Sequence, residues 1–324
     1  MSRWFISVSV AVLILPAGPA KSQSTSFHGP VSGLVYSRVS RGVRPLYGIP
    51  GALQIGPTLL DQIDSASIAP GGKWALVTKG DHSSLVRGLS DLAPAESPTE
   101  GLMNTVDRVK WNSDGSFALL YCSRTNLLQR IRVSDAGAVA DAPIDLSPWG
   151  QVTTLAIDPT GQQMAFGIAG MGLYQFGPGN PPVLVSSMVS PVAAVFDAAG
   201  RRLYAVDSDR QRIMAIDFGS SAMEFASFLQ ADTAAVAAVG LAVSGDGRYL
   251  VLADSTAQAV RVYETASRVL INTIPLDFSP SRFEGLLSGI FLLNGDSSNE
   301  WLLVLDARQA PRLSFVPANR EPVQ

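Results

Sequence analysis

Leu241-Ala242-Val243-Ser244-Gly245-Asp246-Gly247-Arg248-Tyr249-Leu250-Val251-Leu252-Ala253-Asp254-Ser255 is the stretch on which the fold is decided. Apolar runs lie on both sides of Ser-Gly-Asp-Gly. Such runs of four to eight residues between turn signals read as strands. Asp-Gly closes a tight hairpin because glycine accepts a positive φ. The stretch is therefore strand, hairpin, strand. Two more strand-like segments come directly after it, first Ala259-Val260-Arg261-Val262-Tyr263 and then Val269-Leu270-Ile271-Asn272-Thr273-Ile274. Four short strands in this span make one compact antiparallel sheet.

The same unit recurs along the chain. It appears as Ile68-Ala69-Pro70-Gly71-Gly72-Lys73-Trp74-Ala75-Leu76-Val77 and as Val109-Lys110-Trp111-Asn112-Ser113-Asp114-Gly115-Ser116-Phe117-Ala118-Leu119. Further copies run Leu155-Ala156-Ile157-Asp158-Pro159-Thr160-Gly161, then Met164-Ala165-Phe166, and Ala194-Val195-Phe196-Asp197-Ala198-Ala199-Gly200-Arg201-Arg202-Leu203-Tyr204-Ala205-Val206. A degenerate copy occupies Leu286-Leu287-Ser288-Gly289-Ile290-Phe291-Leu292-Leu293. The turn glycines at 72, 115, 161, 200, 247 and 289 are separated by 43, 46, 39, 47 and 42 residues. Loops absorb that drift while strands keep their length. A four-stranded unit with a period of roughly 40–45 residues is a propeller blade.

Ser244 to Ser255 resembles the first hairpin of a WD40/YVTN-type propeller repeat, and the other copies resemble it more loosely. The likeness covers about residues 63–316. It implies an all-β propeller and leaves function open, since such propellers act as scaffolds, ligand binders and enzymes. The chain lacks Trp-Asp strand ends and a literal Tyr-Val-Thr-Asn strand, so no subfamily is named. Strand-like pieces at Leu34-Val35-Tyr36, Val43-Arg44-Pro45-Leu46-Tyr47 and Leu53-Gln54-Ile55 suggest a seventh, incomplete blade. Six blades with an N-terminal hairpin is the alternative. No linker divides the chain, so residues 21–324 read as one domain.

Residues 1–20 read as a signal peptide. Arg3 precedes an apolar run from Trp4 to Leu15, and Pro16-Ala17-Gly18-Pro19-Ala20 supplies small residues before a cleavage point. The run is too short to cross a bilayer, which takes about 20 apolar residues. Export without a lasting membrane anchor is expected, to the periplasm, the cell surface or the medium. The formal charge of −3 and the charged fraction of 16 % leave no basic stripe for nucleic acid. Cys122 is the single cysteine and closes no internal disulfide. It reads as a buried strand residue.

Chemistry-bearing motifs are scarce. The two histidines, His28 and His82, are too few for a histidine metal cluster. No nucleophile elbow, phosphate loop or cofactor fingerprint is found, and Gly167-Ile168-Ala169-Gly170-Met171-Gly172 reads as a tight turn. Neither a metal nor a cofactor is expected, and no catalytic residue is assigned. Trp74, Trp111, Trp149 and Trp301 read as packing residues.

Second strands repeatedly end in acid, as in Asp81 with His82, Asp207 with Asp209, Asp254, and Asp306; Ser123-Arg124 holds the place in another copy. Turns after second strands share a face with the blade-joining links. Asp81, His82, Arg124, Asp207, Asp209 and Asp254 are therefore expected to form a polar, acid-lined rim around the channel, suited to a cation, amine or basic segment. The alternative is ordinary turn chemistry, in which Asp bonds nearby backbone amides. The expected function is a monomeric, non-catalytic binding or scaffold propeller for a protein or small ligand. A lactonase-like hydrolase or a quinone-dependent dehydrogenase relative is the alternative.

Overall fold

The computed structural model describes residues 29–218, 224–227, 237–287, 289–294 and 302–317. The expected signal segment, His28 and Trp301 lie outside these residues. The described residues form 28 strands in seven antiparallel sheets, with no helix among them. The sheets succeed one another along the chain, and no strand crosses from one to another. The seven-bladed reading therefore holds, and the incomplete blade is the first. It has three strands, β1 (Val31–Ser37), β2 (Gly42–Tyr47) and β3 (Gln54–Ile55).

Ring closure shows in the core. Seven apolar clusters each straddle two neighbouring sheets. One of them joins the first sheet to the last, through Val35, Leu46, Leu53 and Ile55 against Leu286, Ile290, Leu292, Val304 and Val316. Every blade thus has two neighbours, and burial of apolar surface supplies the closing force.

In blades two to seven the innermost strands are β4 (Ser65–Ile68), β8 (Arg108–Trp111), β13 (Val152–Ile157), β17 (Pro191–Phe196), β21 (Ala238–Val243) and β25 (Glu284–Leu287). The next strands in the same blades are β5 (Trp74–Lys79), β9 (Phe117–Cys122), β14 (Met164–Ile168), β18 (Arg202–Asp207), β22 (Tyr249–Asp254) and β26 (Ile290–Leu292). Each such pair is joined at a repeat glycine. All six glycines have φ between 67° and 76°, the left-handed region that hairpins need. These turns define one face of the disc, the glycine face. On the other, link face, blade-joining segments meet the turns between second and third strands. There Asp64 accepts from Gly80 N at 2.7 Å, Ser208 N donates to Ser190 O at 2.9 Å, and Ser255 N donates to Ala237 O at 3.0 Å.

The first blade lacks a different strand from its outermost one. Its β1–β2 turn, residues 38–41, is a four-residue turn ending in Arg41 at φ 46°. That shape matches the second-to-third turns of blades three, five and six, which end in Asn126, Gln211 and Gln258 at φ 53°, 50° and 48°. Arg41 also ion-pairs with Asp64 on the link face, and Tyr36 Oη donates to Asp64 O at 2.6 Å. So β1, β2 and β3 are second, third and fourth strands. Among the described residues none lies inside β1, and blades two and seven meet in front of it. There Gly71 N donates to Leu286 O at 3.1 Å. Seven blades therefore present six inner strands to the axis.

The third blade departs in the other direction. Its third strand, β10 (Leu127–Ser134), is eight residues long and pairs with two short outer strands, β11 (Gly137–Ala140) and β12 (Ile144–Asp145). Five of the seven sheets have the expected four strands.

Candidate functional site

The six inner strands enclose a central channel with a cavity of about 760 Å³. Its wall mixes apolar residues, such as Val195, Val243 and Phe291, with Ser65, Ser67 and Thr153. Six charged residues also line it: Asp107, Arg108, Lys110, Asp197, Arg282 and Glu284.

The acids are already engaged. Asp107 accepts from Ser123 N at 2.7 Å, so it fixes a link-face turn. Asp197 accepts from Arg201 N at 2.8 Å and Arg202 N at 3.2 Å, closing a glycine-face turn. Glu284 pairs with Arg282 Nε at 3.0 Å.

The bases differ. Arg108 spends Nη1 on two backbone acceptors, Val152 O at 2.8 Å and Thr153 O at 3.0 Å. Lys110 lies two residues further along β8, so it points to the same side of the strand. Its amine has no hydrogen-bond or ion-pair partner among the described residues. Loss of water around it holds its pKa below the ordinary lysine value, and no carboxylate offsets that loss. Arg282 keeps a second unmet donor, because its Nη1 is buried without a hydrogen-bond partner. The unmet demand within this wall is therefore for acceptors, at two cationic groups.

The acid ends of the second strands sit elsewhere. Asp81, His82, Arg124, Asp207, Asp209 and Asp254 all fall in or beside turns between second and third strands, as expected, but none of them lines the cavity. Asp207 and Asp254 are fully buried. Asp207 accepts from Ser190 N at 3.0 Å and lies 3.6 Å from Arg212. Asp254 accepts from Thr256 N and Ala257 N, each at 3.0 Å, and ion-pairs with Arg261 at 3.2 Å. Asp81, His82, Arg124 and Asp209 are exposed. Asp306 corrects the reading of the last copy. It ends the third strand of its blade, β27 (Leu302–Asp306), and lies beside Gly289 on the glycine face, where Ala307 N donates to Gly289 O at 2.7 Å. The short β26 misleads the count, because the longer apolar strand is the third.

Other assignments hold. Cys122 is buried with a free thiol. Gly170 turns the hairpin between β14 and β15 (Gly172–Phe176) at φ 74°. Trp74 and Trp111 are core residues, with Trp111 Nε1 donating to Ser67 O at 3.3 Å, and Trp149 packs against the core between blades three and four.

No family model matches the sequence, and no curated protein does. Solved structures do match. A crystal structure from Lactobacillus plantarum aligns with TM-score 0.62 at 13 % identity, covering 88 % of this chain and 96 % of that one. Structures named "putative 6-phosphogluconolactonase" from Bacteroides fragilis and Bacteroides uniformis align with TM-score 0.60 each. Their identities are 12 % and 14 %, covering 88 % and 87 % of this chain and 95 % and 98 % of theirs. The likeness is one of fold. At such identity a shared propeller says nothing of shared chemistry.

Lys110 and Arg282 escape the sequence reading. The signal for Lys110 is a charge inside Val109-Lys110-Trp111, where the inner strands of blades two, four, five and six carry Ser67, Ala156, Val195 and Ala242 at the same distance from the glycine and that of blade seven carries Glu284. Arg282 has no comparable signal, since it precedes the degenerate copy.

Proposed function

We propose that this chain is an exported, non-catalytic binding propeller that holds a small ligand in its central channel. The observation that carries the reading is the cavity of about 760 Å³. That volume lies in the range of small-molecule sites, and its wall mixes apolar residues with polar and charged groups that could orient a ligand. The signal-like segment supports export. The exposed Asp81, His82, Arg124 and Asp209 would then be peripheral contacts on the link face.

A lactonase-like hydrolase is the second reading. Only the names of two structures alike in fold favour it, and nucleophile or acid–base geometry would be needed to carry it.

Filling the channel tests the proposal. Val195→Trp with Val243→Trp places two indoles in the wall while leaving the outer strands alone. Native mass spectrometry after exposure to host envelope extract should show a small molecule on the parent and none on the folded variant. A ligand retained by the filled variant would place binding outside the channel. Turnover of a lactone by the parent, lost on filling, would support the hydrolase.

A further inference from the structure

We infer that the channel binds a small molecule bearing an oxyanion group, carboxylate or phosphate, through Lys110 and Arg282. The assignment rests on the channel being the ligand site. Lys110 belongs to the third blade and Arg282 to the seventh, with three blade steps between them one way and four the other. Counted by the six inner strands that face the axis, they stand two apart one way and four the other, on different parts of one cavity wall.

Each carries a donor without a protein acceptor: the Arg282 Nη1 is buried, and the Lys110 amine is half-buried with no carboxylate beside it. A buried polar group left unpaired is costly. Natural proteins rarely leave such groups without a reason. The lining acids do not meet this demand: Asp107 and Asp197 are committed to turns, and Glu284, paired with Arg282 at Nε, leaves Arg282 Nη1 without a partner. An oxyanion is the acceptor that suits both an ammonium and a guanidinium edge, and charge-assisted bonds of this kind are the strong ones. The apolar stretches of the wall, such as Val195 and Val243, suit a carbon body bearing it.

Calorimetry on the whole chain tests this with citrate as the polycarboxylate, pyrophosphate as the phosphate and sorbitol as the neutral control. At least one anion should bind at a single site, and sorbitol should not. Binding of citrate alone would assign carboxylates, and binding of pyrophosphate alone would assign phosphates. Lys110→Met should weaken that binding at least tenfold, with Lys110→Arg restoring most of it. Arg282→Met should weaken it independently. Circular dichroism must first show each variant folded, and the Lys110→Arg rescue keeps the test valid if Lys110→Met fails to fold.

No binding of either anion with a Kd below about 1 mM would overturn the assignment. Sorbitol binding as tightly as the anions would do the same. If the double tryptophan variant abolishes citrate binding while Lys110→Met leaves it unchanged, the anion assignment falls and the channel reading stands. If citrate ignores both changes, both fall.

Discussion

A buried carboxylate, an exposed one and a half-buried amine show how differently the same fold treats charge. Asp254 is sealed from solvent, accepts two backbone amides and faces Arg261 at 3.2 Å. Neutralising it removes the carboxylate that faces a buried guanidinium, so Asp254→Asn should cost roughly 3–5 kcal/mol by urea denaturation. Asp209→Asn, on an exposed turn, should stay within about 0.5 kcal/mol. Equal costs would mean that both are simple surface acids.

Lys110 has no such partner. Its folded-state pKa lies below 10.5, its unperturbed value. A lysine with a lowered pKa penalises the folded state at low pH, where the amine must carry charge. The penalty lifts as pH rises from the lowered value towards 10.5, where the folded chain has released a proton that the unfolded chain still holds. Lys110→Met should therefore stabilise the protein at neutral pH, on the order of 1 kcal/mol or about 2–4 °C in Tm. It should also flatten the rise of Tm with pH below 10.5. A variant less stable than the parent, with the same pH slope, would mean that the amine is already compensated. A charge kept at such a cost in the wall of a cavity is understandable where binding uses it.

Among the elements, the repeat hairpin is where sequence and structure agree most closely. Its glycines mark the repeat because a left-handed turn position penalises every side chain. Two of them separate backbone strain from crowding. Gly161 has φ 67°, and a Cβ there would meet the Phe117 ring at 2.5 Å. Gly247 has φ 73° with open space around it. Gly247→Ala should cost only the backbone strain, about 1–2 kcal/mol, and Gly161→Ala distinctly more in the same denaturation assay. Similar costs would mean that Phe117 moves aside freely.

The elements that resist reading lack this mark. The first sheet has no glycine hairpin, so its strands are visible as apolar pieces while their places in the blade are not. Only the αL residue Arg41 and its contact with Asp64 identify the turn. Asp306 is misplaced along the sequence because β26 spans three residues and β27 five. A repeat aligned on its turns says nothing about which strand has shrunk.

At the scale of the molecule, one asymmetry governs the rest. The first blade contributes second, third and fourth strands, so six inner strands close around the axis while seven blades pack behind them. The first and last sheets are joined by apolar packing, and blades two and seven by the Gly71–Leu286 bond. The ring then encloses a wall whose charged members come from distant parts of the chain. Their convergence is a property of closure and is invisible along the sequence: Lys110 and Arg282 share no motif, only a cavity. The acidic turns are legible because they repeat, and Asp207 and Asp254 accept backbone amides there. The unmet donors do not repeat.

The central claim is that ligands are held in the channel by those donors. The most direct measurement is anomalous diffraction from crystals of the whole chain soaked in tungstate, a heavy oxyanion whose position can be seen without knowing the natural ligand. The predicted result is tungsten inside the cavity, within about 4 Å of the Lys110 amine or the Arg282 guanidinium. Tungsten found only on outer turns, such as that of Arg124, with the channel holding none, would contradict the account.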